Sequence, residues 1–228
     1  MELTRIEALL IGRPAPLGDS GAISAIARRP VERAWLGPTG LLGDEPADTR
    51  HHGGPDKALH HYSLDHYPAW QAEIGPRAVF EAPGAFGENL ATRDLTEADL
   101  CLGDRVRCGG AVIELAQLRQ PCWKLKLRFD QADMPQRVQA TGRSGWYWRV
   151  VESGWIAAGD ALQLIARPHP DWPLTRVWRA LYVAPLDRAE LEALAHLAPL
   201  AAGHRELFSR RLETEQIEDW ARRLDGSV

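Results

Sequence analysis

Two Gly-Asp turns most constrain what this chain can fold into. The first closes "LCLGD" at 100–104 and opens the run "RVRCGGAVIELAQL". The second lies in "WIAAGDALQLIA" at 155–166. Each turn follows apolar residues and leads into alternating strand. In the first, "RVRC" and "AVIELAQ" flank Gly109-Gly110, a pair that readily takes positive φ, so the segment is predicted to be a β-hairpin. No fixed period repeats. Two such elements therefore predict a meandering barrel, not a solenoid.

The rest of the first 165 residues fits that frame. "TRIEALLIG" (4–12) and "GAISAIAR" (21–28) are β-compatible runs bounded by glycine and proline. Residues 37–57 are long, polar and rich in Gly, Pro, Asp and His, which predicts a loop of functional length. "KALHHYS" reads as a strand and "LDHYPAWQAEIG" as a helix starting near Asp65, because Pro68 is tolerated only in a first turn. "PGAFGENLAT" reads as strand broken by glycine.

After "ARPHPDWP" (166–173), a proline-rich linker, the periodicity turns helical. Leu174, Val177 or Trp178, and Leu181 form one stripe. Asp187 and Glu190 fit a capping box ahead of Leu191, Leu194 and Ala198. Leu207, Phe208, Arg211 and Leu212 predict another helix, and Ile217, Trp220, Ala221 and Leu224 a last one. The predicted architecture is a mainly β barrel over residues 1–166, followed by a small all-α domain over 167–228.

Bulk properties narrow the function. The net charge is -4 and the pI about 6.1, which gives no polybasic surface for nucleic acid or an anionic membrane. No apolar run approaches the ~20 residues of a membrane span, and the first 16 residues do not read as a signal peptide. Three cysteines form no closed disulfide set, so a reducing cytoplasm is expected. Trp146, Trp148 and Trp155 point to an apolar seam or a pocket wall.

One cysteine stands apart. In "RQPCWKL" (119–125), Cys122 follows Pro121 and lies between Arg119 and Lys124. Proline favours the first helical position, so the reading places Pro121 at a helix start and Cys122 one residue in, facing the positive end of the helix dipole. Such a setting favours a thiolate that attacks electrophiles or binds soft metals. The competing reading is a core cysteine that happens to follow proline. Cys101 and Cys108 fall inside predicted strands and read as structural.

A second candidate is "TRHHGGPDK" (49–57). It gathers Arg50, His51, His52 and Lys57 around Gly53-Gly54, where backbone N–H groups can approach an anion such as phosphate. The spacing is not that of a P-loop. A solvated hairpin loop is the plain alternative. His60, His61 and His66 complete a cluster that raises a zinc site, but adjacent strand residues point to opposite faces, so His60 and His61 cannot share one metal. Glu88 and Asn89 in "FGENL", and Arg143 and Ser144 in "TGRSGW", read either as turn residues or as ligand contacts.

The ordered set "HGGPDKAL" with His61-Tyr62, "FGENL", "LGD", "PCWKL" and "TGRSGW" resembles the MOSC family, the β-barrel domains named for the C-terminus of molybdenum-cofactor sulfurase. Within it the chain is similar to the YiiM-like group, in which a three-helix domain follows the barrel. The tail "RRLETEQIEDWARRL" (210–224) shares in this likeness. The resemblance implies a pyranopterin molybdenum cofactor in a cleft of the barrel, with Cys122 as the metal ligand. It implies reduction of N-hydroxylated base analogues such as 6-N-hydroxylaminopurine, with electrons from a flavin-containing reductase. Arg50, His52, Gly53, Gly54 and Lys57 are the expected phosphate cradle, with His61, Asn89 and Arg119 as further contacts. Two alternatives remain open: a cofactor or sulfur carrier that binds through Cys122 without turnover, and a zinc hydrolase built on the histidines. The helical domain has three readings: it covers an apolar barrel face, builds a homodimer contact, or docks the reductase.

Overall fold

The computed structural model describes residues 1–48 and 53–226. Its strands are β1 (Glu2–Ile11), β2 (Ala15–Pro16), β3 (Ile23–Ser24), β4 (Arg29–Val31), β5 (Arg33–Gly37), β6 (Gly40–Leu41), β7 (Leu59–Ser63), β8 (Leu90–Thr92), β9 (Arg105–Cys108), β10 (Ala111–Leu118), β11 (Trp146–Glu152), β12 (Gly154–Ala157) and β13 (Ala161–Ala166). Seven of them close a barrel in the order β13-β9-β10-β11-β7-β8-β1, with β1 returning to pair with β13. Closure removes the free edges of the sheet.

Three features of the sequence produce this. The β9–β10 hairpin forms as expected, with Gly109 at φ 55° in its turn. The second Gly-Asp turn leads β12 into β13, and the Asp160 carboxylate accepts the Ala157 N–H at 2.8 Å. The ten residues of β1 span three partners in succession, β13, β8 and β4, with register shifts after Glu2 and Ile6 that let the strand bend around the barrel. Strands β7 and β8 pair in parallel. Parallel neighbours need a crossover, and helix α1 (His66–Ile74) lies within it. Pro68 falls in the first turn of α1, where it is tolerated.

Two core clusters organise the packing. One fills the barrel with Leu9, Leu59, Ile113, Leu115, Trp146 and Trp148 and continues without a break to Leu174, Leu181, Leu191 and Phe208 beyond it. The other lies outside the barrel. There Tyr62, Trp70 and Phe86 pack on Leu125 and Phe129 of α2 (Lys124–Phe129) and on Val138 of α3 (Met134–Thr141). Tyr62 and Phe86 stack with ring centroids 4.0 Å apart.

Several expectations change. "GAISAIAR" contributes only the two residues of β3, and "PGAFGENLAT" only β8, because Gly84 and Gly87 take positive φ and Glu88 folds the segment into a turn. Within the predicted loop 37–57, the described residues 38–48 and 53–57 are mostly loop but include β6. The segment 166–173 joins the barrel to the helices and is tied down along its length. Arg167 forks onto the fully buried Asp104 at 2.7 Å, and the Leu102 N–H donates to the Trp172 carbonyl at 2.9 Å. Beyond it lie α4 (Leu174–Trp178), extended by a π-type turn over Arg179–Val183, then α5 (Arg188–Ala195), α6 (Ala202–Thr214) and α7 (Ala221–Asp225). Asp187 caps α5 by accepting the Ala189 and Glu190 N–H groups. The Glu190 side chain does not complete a capping box, because Arg176 takes it at 2.7 Å.

Candidate functional site

A cleft opens beside β7 and β11, on the side of the sheet away from the barrel interior. Its lining comes from distant parts of the chain: the 24–28 loop, Asp44, Gly53 and Lys57, His60, Phe86, Gly87 and Asn89, Arg119, Cys122, Lys124 and Tyr147. Five of the sequence candidates, Gly53, Lys57, Asn89, Arg119 and Cys122, thus meet in one place. Arg50 and His52 lie outside the described residues. Gly54 is not part of the lining. It takes φ 96° and starts the short helical turn Pro55–Lys57.

The local setting of Cys122 differs from the expectation. Pro121 and Cys122 precede the helix, which begins at Lys124 with Trp123 at its cap. The Cys122 carbonyl accepts the Leu125 N–H at 3.1 Å, so the residue occupies the turn that leads into α2. Proline here shapes the approach to the helix and not its first turn. Leu125 and Phe129 anchor α2 in the outer core, which holds its leading end at the cleft. Cys122 is partly exposed, whereas Cys101 and Cys108 are buried. Burial pushes the Cys108 thiol up to about 12.

Charge in the cleft is mainly positive. Arg28, Lys57, Arg119 and Lys124 line it, with Asp44 as the carboxylate among them. Asp44 is already engaged by Arg28 Nη1, by the Gly12 N–H at 2.7 Å and by Asn89 Nδ2 at 3.0 Å. Arg28 Nε and Arg119 Nη1 are buried without a hydrogen-bond partner among the described residues. Buried donors are nearly always paired, so two orphan guanidinium atoms in one cleft mark where an anionic group belongs. Burial lowers the pKa of Lys57, while the charges of Asp48, Asp56 and Cys122 oppose the shift. Burial raises that of Tyr147, against the pull of Arg119, with Cys122 adding to the rise. Lys57 and Tyr147 are therefore both within electrostatic reach of the Cys122 sulfur.

Asn89 serves the cleft structurally. Its Oδ1 accepts the His60 N–H at 3.0 Å and its Nδ2 donates to the Leu10 carbonyl at 3.2 Å. Glu88 is fully buried and takes the Gly84 N–H, the Phe86 N–H and the Tyr67 hydroxyl, so it organises a turn and meets no cleft. Arg143 pairs with Glu73 and lies 3.8 Å over the Trp70 ring, and the Ser144 N–H donates to Glu97, so "TGRSGW" is a structural turn.

His61 is a correction. It points into the barrel, where Nε2 meets Thr92 Oγ1 at 2.8 Å and Nδ1 accepts from Trp148 Nε1 at 3.1 Å. Burial pushes its pKa down to about 3. The residue on the cleft side is its neighbour, His60. The His60 Nδ1 lies 3.1 Å from the Gly87 carbonyl, which fixes the tautomer with the proton on Nδ1. Its Nε2 is buried without a partner. Burial first, then the charge of Arg119, holds the ring well below the usual histidine range, so it is neutral.

Strand alternation could have found both missed residues. Trp146 and Trp148 fill the barrel, so Tyr147 must face the other way, and it pairs in register with His60. Their ring centroids lie 5.0 Å apart. The tryptophans of 146–155 do not line the cleft. Trp155 is instead half-exposed beside Trp35. Arg28 carried no motif that singled it out. His66 pairs with Glu97 at 2.7 Å, and among the described residues no three His, Cys, Asp or Glu side chains converge on one point.

Residues 48–163 match the MOSC domain, and residues 172–215 match the YiiM-like 3-alpha helix domain. The protein YiiM of Escherichia coli is 39% identical over 208 residues, 90% of this chain and 92% of that protein. A reductase of Gibberella moniliformis is 42% identical over 144 residues, 63% of this chain but 26% of the reductase. The crystal structure of Escherichia coli YiiM superposes with a TM-score of 0.81, covering 96% of this chain and 98% of that one at 31% identity. The closed barrel with its cysteine-bearing cleft, the helices beyond it and these likenesses together show that this chain belongs to the MOSC-domain family, within its YiiM-like group.

Proposed function

We propose that the chain is a molybdenum-cofactor-dependent reductase of N-hydroxylated compounds such as 6-N-hydroxylaminopurine, driven by a flavin-containing reductase. One observation carries the reading. A partly exposed cysteine shares a cationic cleft with two buried guanidinium atoms that have no partner among the described residues. The donor set fits a pyranopterin molybdenum group, which combines a soft metal with a phosphate. Cys122 would ligate the metal through its thiolate. Lys57, Arg119 and Arg28 would hold the phosphate, because guanidinium groups pair with it by two parallel bonds and Lys57 adds a point charge. When bound, the group supplies the two-electron couple that removes oxygen from an N–OH and leaves the amine.

The chain's own residues do the rest. Neutral His60 adds no further charge to the wall and keeps its Nδ1 proton on the Gly87 carbonyl. Asn89 ties the His60 backbone to β1 and holds that wall rigid. A relative named a reductase supports turnover over mere carriage. The matched region is 26% of that relative, which suits electron delivery by a separate module.

The test uses protein from a host that makes the cofactor. Elemental analysis should find about one molybdenum per chain, with pterin fluorescence, by the stoichiometry of a single thiolate ligand. Reduction of 6-N-hydroxylaminopurine with an artificial electron donor should be lost in Cys122→Ser while far-UV circular dichroism is unchanged. Full activity in a molybdenum-loaded Cys122→Ser protein overturns the reading. Molybdenum without turnover would make the chain a carrier, and stoichiometric zinc without molybdenum would exclude both.

A further inference from the structure

The turn that presents Cys122 is held from far along the chain. The peptide unit before the cysteine is fixed by its carbonyl, since Pro121 O accepts from Arg223 Nη1 at 2.7 Å. The peptide unit after it is fixed by its N–H, since Trp123 N donates to the Arg223 carbonyl at 2.8 Å. One residue of α7 therefore pins both flanking peptide planes, and with them the φ and ψ that aim the sulfur. The other arm of the guanidinium, Nη2, is anchored on Gln139 Oε1 of α3 at 2.6 Å. Around it the contact is continuous. Lys126 pairs with Asp225 at 2.9 Å, Gln136 donates to the same carboxylate at 3.1 Å, and a Cβ on Gly226 would lie 2.9 Å from the Trp123 ring.

We infer that Arg223 is a positioning residue for Cys122, and that α7 is the clamp that sets the sulfur in the cleft. The inference deepens the proposed function and rests on it only for the identity of what the sulfur binds. It goes beyond covering an apolar barrel face, because the bonds fall on the two peptides that flank the reactive residue. Sub-ångström control of a ligand is the kind of contribution such a supporting shell makes.

Alkylation of Cys122 by iodoacetamide, mapped by peptide mass in the cofactor-free full-length chain, reads the clamp without any turnover. Arg223→Ala should be alkylated roughly tenfold faster or more at fixed pH, the scale of one lost charge-assisted hydrogen bond. Free guanidinium at low concentration should restore the slower rate. In cofactor-loaded protein the same variant should lower kcat with KM for the substrate unchanged. Arg176→Ala, which breaks a pair in α4 away from the turn, should leave alkylation unchanged. If Arg223→Ala does not fold, Gln139→Leu frees the guanidinium from its anchor and should also speed alkylation. An unchanged rate in these variants, or equal acceleration in Arg176→Ala, overturns the inference. Faster alkylation in a chain that never carries molybdenum would support the clamp and sink the cofactor reading.

Discussion

At the scale of single residues, burial decides which histidines belong to the fold. His61 and His204 are both held at a pKa of about 3, by burial first and, for His204, by the charges of Lys57, Arg223 and Arg211 after it. In the unfolded chain both titrate near 6.5. Between about 6.5 and 3 the unfolded state binds more protons, so stability is fully present above that window and falls as the pH drops through it. Each histidine contributes a slope of about 1.4 kcal/mol per pH unit there. Urea unfolding at stepped pH should show this loss, and His204→Phe should flatten the slope by about one proton. An unchanged slope would remove His204 from the account. The same residue scale limits what sequence could show. The Pro-Cys pair and the glycine loop were legible because their residue types are chemically distinctive. His60 and Tyr147 needed the alternation of β7 and β11 followed along both strands, and Arg28 was not legible, because only the path of the 24–28 loop brings it to the cleft.

At the scale of elements, turns were easier to read than strands. Gly109-Gly110 and Asp160 announce their hairpins because positive φ and a side-chain acceptor are local requirements. Gly145 shows the same logic in a turn that had two readings. It takes φ 74°, and a Cβ there would lie 2.4 Å from the His61 carbonyl. The short strands β4 and β5 escaped notice because their pairing to β1 and β12 is non-local. Beyond the barrel, the widened end of α4 depends on one side chain. Arg211 of α6 is 1% exposed, and its Nη1 donates to the Ala180 and Leu181 carbonyls, each at 3.1 Å. Its Nη2 meets Glu218 at 2.7 Å. Arg211→Met keeps the length but strands these acceptors. It should cost about 2–4 kcal/mol in urea unfolding. A loss below about 0.5 kcal/mol, the range of an ordinary surface change, would refute this role.

At the scale of the whole molecule, the question is whether barrel and helices are two folding units or one. The composition break at 166–173 marks a change of secondary structure, and a reader of sequence sees a boundary there. The packing runs across it. Leu174 N–H donates to the Leu100 carbonyl, and Ala201 N–H to that of Ala116, both at 2.9 Å. Arg167 neutralises Asp104, whose carboxylate has no exposed surface and also accepts the Cys101 N–H. Removing the guanidinium would leave an uncompensated buried charge, a loss of about 3–5 kcal/mol. Because that pair lies where β9 meets the start of the helices, Arg167→Ala should weaken both together. Far-UV circular dichroism, which follows the helices, and reaction of the buried Cys108 of β9 with a thiol reagent, which follows the barrel, should give coincident urea transitions in the parent chain and in Arg167→Ala, at a lower midpoint in the variant. Separate transitions would show that the barrel holds the cleft without the helices. Coincidence means that loosening the helices also loosens the cleft, since α7 and the Asp56–Ala202 contact at 3.3 Å bind them to both of its walls.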